Sequence, residues 1–100
     1  MKDVKKAVLN LSLAVAVFTG GCAITPPVQE MSNARQSLNA AKAVQADIHD
    51  PDTYKKAAKL IELAKQHIEQ GDYTQAREYA INAKQIAIKA RQQTLSKTQN

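Results

Sequence analysis

Residues 50–72 read DPDTYKKAAKLIELAKQHIEQGD, and this stretch decides the fold. Asp50 precedes a proline and is pushed out of the α region. It can cap a new helix in which Pro51 takes the first position, with Asp52 near the positive end of the helix dipole. Tyr54, Ala57, Ile61, Ala64 and Ile68 then recur at steps of 3, 4, 3 and 4, which is one helical face. Gly71 supplies the stop, because only glycine takes the left-handed C′ conformation without a Cβ penalty. Asp72 is the next N-cap, and Gln75 three residues on completes a box-like arrangement.

The same punctuation organises the flanks. Tyr73, Ala76, Ala80, Ala83, Ala87 and Ala90 continue the pattern in a third helix. Upstream, Met31, Ala34, Leu38, Ala41, Val44 and Ile48 lie on one face of a first helix, which is expected to start near Pro26-Pro27 and to end around Asp47 to His49. β-Branched residues are sparse and period-2 alternation is absent, so no strand is expected. The fold class read from this is all-α: a small antiparallel three-helix bundle over residues 28–95, formed by a helix hairpin and an N-terminal helix. Short turns make neighbouring helices antiparallel. Alanine along the seam lets the backbones approach closely but buries little area per residue, so modest stability is expected. From Gln92 on only Leu95 has much to bury, and residues 96–100 are expected to be a disordered tail.

The N-terminal residues belong to another category. Lys2, Lys5 and Lys6 precede an apolar run from Ala7 to Phe18 that stops at Thr19-Gly20-Gly21-Cys22. Twelve residues, interrupted by Asn10, fall short of the roughly 20 needed to cross a bilayer, so a cleaved signal segment over residues 1–21 is expected. The remaining 79 residues hold 14 − 3 = 11 basic and 9 − 1 = 8 acidic side chains, a mild +3. The surplus sits at the C-terminal end, where Arg77, Lys84, Lys89, Arg91 and Lys97 face Glu78 alone. For an exported chain this disfavours nucleic acid and points to anionic lipid headgroups or acidic wall polymers. A solvated helix face with a basic end, favoured by the dipole, accounts for the charge equally simply. One Cys, two His, three Gly and no Trp leave no material for a disulfide framework, a zinc site or a phosphate loop. A chain of this size buries only about 60% of its unfolded surface, which disfavours a deep catalytic cleft.

Gly20-Gly21-Cys22 resembles the lipobox of bacterial lipoproteins. The resemblance implies that Cys22 carries diacylglycerol on its thiol and is the first mature residue, with acyl chains such as palmitate as its only attached group. Ala23 stands where an inner-membrane retention signal would have Asp, which by the same resemblance implies the outer membrane, facing the periplasm, and makes residues 22–27 a lipidated tether. Between Cys22 and Arg91 the Pro-containing tether, Ala34, Ala41, Asp50-Pro51, Ala57, Leu60, Ala64, Gly71-Asp72-Tyr73, Ala76, Ala80, Ala83, Ala87 and Ala90 resemble small Gram-negative envelope lipoproteins that carry an uncharacterised Ala-rich helical domain. In some relatives that domain precedes an OmpA-like peptidoglycan-binding domain, which this chain is expected to lack. The resemblance implies a location and a fold, not an activity. A second one, to a tetratricopeptide hairpin, covers Leu60 to Ala83 in a single copy where about three are needed for a repeat surface. It implies hairpin packing only.

Candidate functional residues lie on the third helix. With Tyr73, Ala80 and Ala87 as heptad a and Ala76, Ala83 and Ala90 as d, Ile81, Ile88 and Leu95 fall at b, beside Arg77, Lys84 and Arg91 at e. Either the first helix covers this pair of stripes, or they form a docking surface for a partner helix or lipid headgroups. His49 and His67 have no further ligand at metal spacing. Asp47, Asp50 and Asp52 are explained by capping, and Ser32, Ser37 and Ser96 have no base nearby. The expectation is a lipoprotein that is not an enzyme and has no metal, cofactor or small-molecule substrate. It would act as a periplasmic adaptor or envelope-structural protein that binds an envelope protein through its helical surface. The alternative is a peptidoglycan- or membrane-surface-associated module using Arg77, Lys84, Lys89 and Arg91. Self-association through the alanine seam is a third option.

Overall fold

The computed structural model describes residues 25–99. The expected signal segment over residues 1–21, and Cys22, lie outside them. The described chain is all-helical and forms a bundle of four helices: α1 (Val28–Ala43), α2 (Ala46–His49), α3 (Pro51–Glu69) and α4 (Tyr73–Thr98). The expected first helix is therefore two. The apolar spacing through Ala41, Val44 and Ile48 gives no sign of a break, but Gln45 takes a left-handed conformation at φ 64° and resets the helical phase. The amides of Val44 and Gln45 fold back on the carbonyls of Ala41 and Lys42 at 3.3 and 2.8 Å, closing α1 tightly. As a result Ala46 is buried, and Ile48, expected on the packed face, is exposed.

A non-glycine residue in this region carries about 1–2 kcal/mol of strain, while glycine costs about 0.5–1 kcal/mol more backbone entropy. Gln45→Gly is thus expected to stabilise the fold slightly, by about 0.5 kcal/mol, raising the melting temperature by roughly 3 °C. A lower melting temperature would show instead that the Gln45 side chain holds the junction.

Asp50 occupies the N-cap of α3 and Pro51 its first turn, yet the carboxylate caps no backbone amide. Its Oδ1 instead accepts the Thr53 hydroxyl at 2.9 Å, three residues on. The other end of α3 is a Schellman closure around Gly71 at φ 78°. The Asp72 amide donates to the His67 carbonyl at 2.8 Å and the Gly71 amide to that of Ile68 at 3.0 Å. The His67 ring faces the Asp72 carboxylate across the same turn at 3.2 Å. Asp72 then caps α4 by accepting the Gln75 amide at 3.4 Å, as the spacing suggested.

Long-range contacts set the directions. Thr53 near the start of α3 meets Gln93 far along α4, and His67 near the end of α3 lies against Tyr79 early in α4 with ring centroids 5.2 Å apart. These two helices therefore run oppositely. Glu30 early in α1 meets Arg77 early in α4, and Ala41 late in α1 shares a cluster with Ala90, so α1 runs with α4. Among the described residues, ten of the twelve buried hydrophobic ones are alanine, joined by Met31 and Ile61. The larger side chains Leu38, Leu60, Ile68 and Tyr79 pack half-buried around this seam. Beyond the expected end at Leu95, α4 continues to Thr98. Thr94 is fully buried one heptad after Ala87, so the seam runs a turn further than its alanines do.

Candidate functional site

The buried row of α4 (Ala76, Ala80, Ala83, Ala87, Ala90 and Thr94) faces the other helices, and the contacts of α3 and α1 fall on its two sides. On the α3 side stand Tyr79, against His67, and Gln93, against Thr53. On the α1 side stands Arg77, whose Nε donates to Glu30 Oε1 at 3.2 Å and whose Nη2 donates to the Thr25 carbonyl at 3.2 Å. Arg77, half-buried, thus ties α4 to the chain segment entering α1. Sequence spacing placed it in the basic row but gave no sign of the partner 47 residues away.

The other members of the two stripes are arranged differently. Ile81 is 43% and Ile88 38% exposed, so α1 does not cover the middle of this row. Leu95 is half-buried, at the end of α4 that approaches α2, where Lys97 Nζ reaches the His49 carbonyl at 3.5 Å. Lys84 and Arg91 are exposed, as is Lys89 on the next face, and all three are without an ion pair among the described residues. The two exposed isoleucines and two unpaired cations alternate along about three turns of helix, each pair seven residues apart and so about 10 Å.

Among the described residues no three His, Cys, Asp or Glu side chains come together as a metal-binding group. No helix among the described residues is long and apolar enough to cross a membrane. His67 is engaged with Asp72 and Tyr79, while His49 meets the rest of the bundle through its carbonyl. Among the described residues two buried side-chain oxygens, Asp50 Oδ2 and Thr94 Oγ1, have no hydrogen-bond partner, and neither could have been found from the sequence pattern.

Comparison with curated proteins and with solved structures gave no match. Residues 29–100 do match a family model, and they include all four helices except the first residue of α1. With 72 of its 100 residues matched, the chain belongs to the family described as a domain of unknown function, DUF4398.

Proposed function

We propose that this protein is an outer-membrane lipoprotein facing the periplasm, held by acyl chains on Cys22. Its three long helices act as an antiparallel three-helix unit that serves as a non-catalytic adaptor or envelope-structural element. The observation that carries this reading is the exposed face of α4: Ile81 and Ile88 stand open beside unpaired Lys84 and Arg91, while the alanine row of the same helix is buried. Large apolar side chains left open in a row beside like charges support a contact role for this face. The lipobox-like Gly20-Gly21-Cys22 supports the anchor.

Ile88→Asp tests this reading. The substitution places a charge on an already exposed position, so the helical circular dichroism signal is expected to stay unchanged. Cross-linked adducts formed through this face in growing cells should disappear. Loss of the helical signal would instead make Ile88 part of the packed core.

A second reading, association with peptidoglycan, is favoured by the charge imbalance of α4. Lys84, Lys89 and Arg91 would carry it, with Arg77 contributing less because Glu30 already neutralises it. Co-sedimentation with isolated sacculi that weakens with salt would support this reading.

A further inference from the structure

We infer that the open face of α4 seats on the anionic surface of a phospholipid bilayer, with Ile81 and Ile88 entering the interface and Lys84, Lys89 and Arg91 meeting the phosphates. The inference rests on the lipid-anchor reading and names what the face touches first.

Two independent observations carry it. The first is where the tether leaves the bundle. Arg77 holds the Thr25 carbonyl at 3.2 Å, so the chain enters the fold at the head of the row that continues through Lys84 and Arg91. Cys22 precedes Thr25 by three residues, a reach of at most about 10 Å. An acylated Cys22 therefore keeps the head of this row within about one helix diameter of the bilayer. The rest of the face needs only to lie down along the surface that already holds its first turn.

The second is charge. After Glu78, α4 contains no acidic residue to its end at Thr98. The exposed isoleucines are flanked by cations, so on a bilayer surface the apolar side chains would turn to the acyl boundary while the cations stay with the headgroups. A second copy of the chain docking on the same face would set Lys84 and Arg91 against their equivalents. An anionic surface has no such cost, and each basic residue near it adds favourable binding.

The test uses the full mature chain, extracted from membranes and reconstituted by its own anchor. Because Cys22 would be acylated, a second cysteine can be labelled alone. Ile88→Cys carries an environment-sensitive dye, and Glu62→Cys, exposed on α3, is the control position. In vesicles of phosphatidylcholine with about 30% phosphatidylglycerol, the dye at 88 is expected to shift to an apolar signal and be quenched by bilayer-borne quenchers, while the dye at 62 stays aqueous. Pure phosphatidylcholine or about 0.5 M salt should abolish the shift. Adding Lys84→Glu and Arg91→Glu should cut the docked fraction on the order of tenfold with the helical signal intact. A dye at 88 that stays aqueous on anionic vesicles overturns the inference, as does burial that requires an added membrane protein, which would assign the face to a protein partner. Flotation separates the two levels: a chain that floats with neither vesicle refutes the anchor reading itself, and the docking falls with it.

Discussion

Cys22→Ser is expected to abolish acylation and, with it, cleavage before residue 22, so that the protein leaves the outer-membrane fraction and remains a longer, unacylated precursor held by its apolar leader. The reason is chemical before it is structural. Serine matches cysteine closely in size, but its hydroxyl is a far weaker nucleophile than a thiol and accepts no diacylglycerol. Without the acyl chains the attractions that could hold the helical part to the outer membrane are small. Each buried methylene of a lipid contributes about 0.8 kcal/mol, and two or more chains make attachment stable. Three unpaired cations on α4 supply only about 1 kcal/mol each against an anionic surface. The anchor therefore dominates, and separation of the two membranes followed by immunoblotting should show a fall of at least about tenfold in the outer-membrane share. Wild-type protein already in the soluble fraction, or a Cys22→Ser protein that reaches the outer membrane as well as the wild type, would contradict the anchor.

The second large effect concerns the seam. Ala83→Leu is expected to destabilise the bundle by about 3 kcal/mol, since overpacking a tight interior costs typically 1–3 kcal/mol and this interior has little to yield. Ala83 is fully buried in one cluster with Met31, Ala34, Ile61, Ala64 and Ala80. Four of those six residues are alanine, with no side chain beyond Cβ to swing aside, so a leucine here must push a helix outward. The same chemical change at Ala40, exposed on α1, should be nearly neutral. Thermal melts of the two variants should differ by roughly 15 °C. Equal melting temperatures would mean that the helices are not held by close approach along the alanine row.

Much of this architecture was legible from residue pattern. Asp50-Pro51 and Gly71-Asp72 mark real helix boundaries because proline and glycine act through the local backbone, whatever packs around them. The alanine row of α4 was equally readable, since a period near 3.6 is a property of the helix alone. What failed to show were features decided by distant partners. The left-handed Gln45 has no glycine or proline to announce it, and it is stabilised by what the junction permits, the burial of Ala46 against Ala41 and Ala90. Thr94 continues the heptad from Ala87, but a hydroxyl among polar neighbours does not read as core. Arg77 reads as one more surface cation until Glu30 and Thr25 are placed beside it. The candidate site was half visible for the same reason: spacing put Ile81, Ile88 and Leu95 in one row, and only packing could separate the two that stay exposed from the one that does not.

Intact-mass spectrometry of the protein extracted from membranes of growing cells tests the covalent anchor most directly, with fragmentation to locate the first residue. The expected chain begins at Cys22 and carries the added mass of acyl chains on that residue. A chain beginning anywhere else, or a Cys22 with a free thiol, would contradict it.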